Sequence, residues 1–338
     1  MTEMRSMSKK LSPAITKKTV EKKPRDPKKT GKIIFICCLS VIVIAVAVWA
    51  AVGAVSAKNI IDPPRRELVY FDGPNELDMV YEFFEIKDFH GSDNIVGWYV
   101  PSQDYYGEYV ESEKTVIMSH NYQSNREMTE FDGLYLIRDL VHSGYNVITF
   151  DYTGSGNSRG SNYTFGADET DELLKVIDFT CEKYSLDKIA VMGFAFGAGP
   201  AICAGCQDDR VDVIIADSPY LDLKSYLDEN IAVWSQLPDF LFSAYIKSLL
   251  PVFAGTELNC SPLAAVSTAQ NKSFLFLHGE RDNIFPYQNT LTFASAAQDA
   301  GNTADYKVFS EVPHCLGYIY APDDYLQTVL TFLSDNMN

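Results

Sequence analysis

Gly193 and Gly197 flank Phe194-Ala195-Phe196. Glycines two residues either side of a central position, between a strand and a helix, are what a strained elbow turn requires, and a serine at that centre is a nucleophile for a carbonyl carbon. Two residues further along supply the other parts of acyl-transfer chemistry. Asp282 follows an apolar strand pattern in Leu277-His278-Gly279-Glu280-Arg281-Asp282, and His314 follows the last such pattern in Pro313-His314-Cys315. A carboxylate that orients an imidazole, and an imidazole that takes the nucleophile's proton, are the partners this chemistry needs. The elbow centre, however, is Ala195, and a methyl group cannot attack a carbonyl. Residues 191–204 contain no Ser, Thr or Asp in any register, and Cys203 lies two helical turns beyond.

The elements that must position these residues are legible as alternating periods. Phe83 to Phe89 and Ile95 to Val100 flank Gly91-Ser92-Asp93-Asn94 and predict an antiparallel hairpin. Short apolar runs at Thr115 to Met118, Asn146 to Phe150, Lys188 to Met192 and Val213 to Ala216 are buried strands, and Ser273 to Leu277 and Tyr306 to Phe309 are two more. Apolar residues at helical steps run from Met128 to Val141 and stop at Gly144. A second helical pattern runs from Leu173 to Cys181, and a last helix from about Asp323 to Leu333. Strands alternating with helices of this length predict parallel βαβ units, hence an α/β fold with a mostly parallel sheet covered on both faces. From 220 to about 267 the rhythm breaks into a Leu-, Phe- and Tyr-rich stretch punctuated by Pro238 and Pro251, read as a helical cap over the strands' C-terminal edge. Its apolar residues, Trp234, Phe240, Phe242, Tyr245, Leu249 and Leu250, either line a ligand's apolar part or pack inward.

Charge divides the chain. The first 32 residues carry eleven basic and three acidic side chains, or +8; the whole is −17, which leaves −25 for the rest. So acidic a body argues against nucleic acid as a partner. Between the two regimes, Ile33 to Ala57 holds twenty-five residues without a charge, where about twenty suffice to cross a bilayer as a helix. The basic flank predicts a cytoplasmic tail over 1–32, a single membrane span over 33–57, a stalk over 58–78 and a domain outside the membrane over 79–338; cleavage after Val55-Ser56-Ala57 as a signal peptide is the rival reading. Cys203-Ala-Gly-Cys206 falls in a small-residue helix and reads as packing, and no metal or cofactor is implied.

With these residues in view, residues 79–338 resemble the α/β-hydrolase superfamily, in particular serine-aminopeptidase-like and related capped bacterial hydrolases. The likeness is carried by Met118-Ser119-His120-Asn121-Tyr122 after the first parallel strand, by Asp151-Tyr152-Thr153-Gly154-Ser155-Gly156 after the second, by Asp217-Ser218-Pro219-Tyr220, and by the order elbow, Asp282, His314. It implies an eight-stranded, mostly parallel sheet flanked by helices. It also implies His314 as general base, Asp282 as its orienting acid, and an oxyanion hole of backbone N–H groups from Phe196 and from Tyr122 or Asn121. The family usually has glycine where this chain has Asn121, a residue that tolerates left-handed backbone.

Ala195 departs from that resemblance and leaves three readings. In the first the chain is a natural pseudoenzyme whose pocket binds an ester, acyl or peptide ligand without cleaving it. In the second, serine was changed to alanine by design in an active hydrolase. In the third, hydrolysis proceeds by water that His314 and Asp282 activate, or by a surrogate such as Ser119 or Ser218. An open cavity under the cap favours ligand binding, whereas one filled by Phe194, Phe196 or cap residues favours a scaffold.

Overall fold

The computed structural model describes residues 26–87 and 94–337. It divides into two units, Met1–Ala51 and Val52–Asn338. Helix α1 (Pro27–Ile61) includes the uncharged run and is long and apolar enough to cross a membrane, with a mean hydropathy of 3.0 over its most apolar stretch. It continues past Ala57, and its last residues, Ile60 and Ile61, are buried.

In the second unit all eight strands form one sheet in the order β1-β2-β4-β3-β5-β6-β7-β8. The strands are β1 (Glu82–Lys87), β2 (Asn94–Val100), β3 (Lys114–Ser119), β4 (Asn146–Asp151), β5 (Lys188–Phe194), β6 (Val211–Asp217), β7 (Ser273–Gly279) and β8 (Thr303–Phe309). β2 pairs antiparallel with β1 and β4, and every pairing from β4 across to β8 is parallel. The turn expected at Gly91-Ser92-Asp93 lies outside the described residues. Ile117, Ile148, Val191, Ile214, Phe274 and Phe276 are buried in one apolar core, which is why the central strands read as continuous apolar runs rather than alternating ones.

The helices that cover the sheet are α2 (Gly133–His142), α3 (Ala167–Tyr184), α4 (Ala198–Gln207), α5 (Leu223–Ser235), α6 (Asp239–Ala254), α7 (Pro262–Thr268), α8 (Gln288–Asp299), α9 (Gly317–Tyr320) and α10 (Pro322–Asn336). Two differ from the sequence pattern. α2 starts five residues later than Met128, because Met128 and Asp132 both take left-handed backbone (φ 49° and 59°) around a short 3-10 turn. α7, at the end of the stretch expected to form a cap, reaches the core: its Val266 joins the same cluster as Ala201 of α4 and Phe274 of β7. α5 and α6 make up the rest of that stretch, with Asp222 capping α5 by accepting the Ser225 N–H at 2.8 Å.

The stalk expected over 58–78 is not free-standing. The buried Glu127 carboxylate accepts the N–H groups of Val69 (2.6 Å) and Tyr70 (3.0 Å). Asn125 donates to the carbonyls of Arg66 and Glu67, and Arg65 donates to those of Ser158 and Gly160. Pro63 and Pro64 stop the helix, and the carbonyls of Ile60 and Ile61 that it leaves without helical partners accept the Tyr122 hydroxyl (2.8 Å) and the Tyr163 N–H (2.6 Å).

Candidate active site

β5 ends at Phe194, residues Ala195–Gly197 make one 3-10 turn, and α4 follows. Ala195 sits at φ +50°, left-handed backbone that costs a residue with a Cβ about 1–2 kcal/mol. The flanking glycines are required by close approach: a Cβ on Gly197 would collide with the His120 carbonyl oxygen, and one on Gly193 would lie 2.6 Å from the Ala198 Cα. The geometry of a nucleophile elbow is thus complete around a side chain that carries no nucleophile.

Asp282 and His314 meet. His314 Nδ1 lies 2.6 Å from Asp282 Oδ2, and that oxygen is also 3.0 Å from His278 Nε2. Asp282 Oδ1 accepts the N–H groups of Ile284 (2.8 Å) and Phe285 (2.9 Å). Burial works to raise the Asp282 pKa, but the hydrogen bonds from His278 and His314 outweigh it and hold the carboxyl below the usual carboxylate range. His278 Nε2 faces two acceptors, Asp282 and the Phe285 carbonyl, while its Nδ1 lies 2.8 Å from the Thr290 hydroxyl. That environment assigns the Nε2–H tautomer to His278 and makes it a second donor fixing the acid.

Two backbone N–H groups converge opposite the elbow, on a protein atom. Asn121 Oδ1 accepts from Tyr122 N–H at 2.7 Å and from Phe196 N–H at 3.2 Å. Of the two donors expected beside Phe196, Tyr122 is the one that shares its acceptor; Asn121 contributes its side-chain oxygen instead. Nor does Asn121 use left-handed backbone; Gln123 does, at φ +55°. The loop is held by the buried ring of His120, whose Nδ1 donates to the Asn121 carbonyl (2.7 Å) and whose Nε2 accepts the Tyr152 N–H (3.1 Å). Burial lowers the His120 pKa and keeps the ring neutral for those two bonds.

Asn121, Tyr122, Phe196 and His314 share the wall of one open cavity of about 630 Å³. Tyr226 and Trp234 enter from α5, and Ser56, Asn59 and Ile60 from the end of α1. Phe196 is ringed by aromatic side chains, including Phe165 (5.3 Å), Trp234 (5.4 Å) and Phe285 (5.1 Å between centroids), without closing that space. Phe194 points elsewhere and stacks on Phe131 at 4.3 Å. The volume is in the range of small-molecule sites.

Residues 135–338, more than half of the chain, match the prolyl oligopeptidase family. The chain belongs to this family. It is 28% identical over 259 residues to the uncharacterized protein YqkD of Bacillus subtilis, covering 75% of this chain and 79% of that one. It is 26% identical over 213 residues to lysophosphatidylserine lipase ABHD12 of Macaca fascicularis, covering 59% of this chain and half of the lipase. Among solved structures it is similar to the Pyrococcus furiosus esterase Pf2001, with a TM-score of 0.67, 25% identity, and coverage of 82% of this chain and 99% of the esterase. The α/β-hydrolase fold expected from the sequence is therefore the fold of this prolyl oligopeptidase family member.

The surrogate nucleophiles weighed for the family's chemistry are committed elsewhere. Ser119 Oγ donates to the Gly197 carbonyl and bonds the Tyr152 hydroxyl, each at 2.7 Å, and is fully buried. Ser218 Oγ donates to Asp217 and accepts the Cys315 N–H, also fully buried. The described residues hold no cluster of three or more His, Cys, Asp or Glu arranged for a metal ion. Sequence reasoning missed His278 and the cavity wall from α1. His278 had a signal, its i,i+4 spacing to Asp282; residues 56–60 had none, because they read as the end of a span and the start of a stalk.

Proposed function

We propose that this prolyl oligopeptidase family member is a membrane-anchored, ligand-binding relative of serine esterases in which the nucleophile position is vacated by Ala195. Its cavity takes a carboxylic ester, acyl or peptide ligand, and cleavage by an acyl-enzyme route is closed. Helix α1 is the single-pass anchor, the basic tail lies on the cytoplasmic side and the domain on the other. The observation that carries the reading is the elbow itself: Ala195 keeps a left-handed φ of +50°, a conformation with a cost, beside a hydrogen-bonded Asp282–His314 pair. An ester is favoured among the ligands because similar proteins are named as an esterase and as a lysophosphatidylserine lipase. With a hydroxyl restored at 195, His314 would take its proton, Asp282 would stabilise the resulting imidazolium, and the N–H groups of Phe196 and Tyr122 would hold the oxyanion.

The test is p-nitrophenyl ester hydrolysis by the full chain in detergent, beside Ala195→Ser and Ala195→Ser/His314→Ala. Loss of a triad nucleophile removes about a millionfold in turnover, so the parent is expected to be silent, Ala195→Ser to gain at least about a thousandfold, and the double variant to lose that gain. Turnover by the parent that disappears in His314→Ala would replace this reading with water activated by the His314–Asp282 pair.

A further inference from the structure

We infer that the outer face of α6 lies against the headgroup layer of the bilayer that α1 enters, so that the mouth of the cavity opens at the membrane surface. The inference rests on the membrane anchoring proposed above. Phe240, Ala244, Ser248 and Val252 are spaced by four and so share one face of α6, and all four are exposed, Phe240 at 92% and Val252 at 71%. That face carries no charge. The opposite face, Phe242, Ile246, Leu250 and Ala254, is buried. A helix apolar on both faces is ordinarily covered on both. α6 carries two charges off that face: Lys247 pairs with Asp228 of α5 at 2.9 Å, and Asp239 is exposed in the first turn.

The level of α6 along α1 argues for lipid as the covering layer. Gly53 of α1 admits the Tyr245 ring so closely that a Cβ there would sit 2.6 Å from it, with Phe242 next at 3.5 Å. Gly53 lies inside the uncharged run, five residues before Lys58, or about 7.5 Å along a helix. α6 therefore sits level with the last turns of the apolar run, where an interfacial helix buries its apolar face among headgroups. The cavity begins one turn further along α1 and straddles the end of the uncharged run: Ser56 inside the run and Asn59 and Ile60 just beyond Lys58 form its wall on the α1 side, and the exposed Val233 and Gln236 line it on the α5 side. A ligand held in the bilayer reaches Phe196 and His314 without crossing bulk water, which specifies an amphiphile whose acyl chain stays in lipid while its ester enters.

The full chain, reconstituted in phosphatidylcholine vesicles containing a phosphatidylcholine with a photoreactive diazirine near the headgroup end of its acyl chain, is illuminated and its adducts are mapped by mass spectrometry. Adducts are expected in α1 and in residues 239–254, and not in α8 or α10. Adducts in α1 without α6 would overturn the docking and leave the anchor standing; adducts in neither would overturn the anchor itself. Phe240→Glu/Val252→Glu changes only exposed side chains. It is expected to keep the parent's circular dichroism and α1 adducts while α6 labelling falls to the level of α8. Unchanged α6 labelling in that variant would also overturn the inference.

Discussion

Asn121 is the residue whose chemistry most changes the reading of the site. A recess formed by two N–H groups is complementary to a developing oxyanion, and here those groups already hold the Asn121 carboxamide oxygen. A ligand carbonyl must displace that oxygen before it is polarised. At about 0.5–1.5 kcal/mol net for each hydrogen bond, the displacement opposes binding in the hole by roughly 1–3 kcal/mol, or about 5- to 150-fold. Asn121→Gly in the Ala195→Ser background is therefore expected to raise kcat/KM for a p-nitrophenyl ester by about tenfold or more, while Asn121→Gly alone leaves the chain inactive. A loss of activity in the paired variant would show instead that the carboxamide supports the loop. The sequence displayed Asn121 as a departure from glycine, and its backbone tolerance was the visible consequence. The direction of its side chain depends on His120 and Tyr152 fixing the loop, contacts between β3 and β4 that no local pattern encodes.

At the scale of elements, the strands and the start of α10 were legible and the start of α2 was not. The central strands are buried on both sides and bounded by turn residues, so composition alone marks them. The start of α2 depends on Asp132 adopting left-handed backbone, and the fate of residues 62–72 depends on Glu127 and Asn125 satisfying their backbone groups; both are tertiary effects. Helix α1 is the element whose orientation the sequence does argue, since Lys22, Lys23, Arg25, Lys28, Lys29 and Lys32 lie within eleven residues before the uncharged run, against Lys58, Arg65 and Arg66 within eleven after it. Positively charged flanks remain cytoplasmic. Proteinase K added to intact cells that make the full chain is expected to degrade the domain beyond residue 61, while an epitope at the N-terminus stays protected. Degradation of the epitope with survival of the domain would reverse the orientation.

For the whole molecule, the balance of buried acids sets how stability responds to pH. Burial raises the pKa values of Glu127, Glu169, Glu172 and Asp217. Each keeps its proton to higher pH folded than unfolded, so the folded chain binds more protons across that window and loses stability as pH rises through it. For Glu172, raised by burial and by the neighbouring Glu169 to about 7, the window runs from its ordinary 4.5 to about 7. Other groups act the other way, His120 and Asp282 among them. Buried His120, with a lowered pKa, favours the folded state as pH rises toward the ordinary histidine range. Asp282, whose pKa is depressed, contributes stability that is complete above the ordinary carboxylate range and is lost only as pH falls below it. Because these opposing groups share one melting curve, the informative quantity is the difference between the parent and Glu172→Gln, a variant that keeps an oxygen to accept the Thr153 N–H, now bound at 2.9 Å. Chemical denaturation of both in the same detergent should give similar stabilities near pH 4.5. By pH 8 the variant should be the more stable by about 1–3 kcal/mol, because it never ionises. A difference that stays flat from pH 4.5 to 8 would mean that solvent reaches the Glu172 carboxylate, and that the loop from Asp151 to Ser158, which Glu172 holds through Thr153, is hydrated rather than packed.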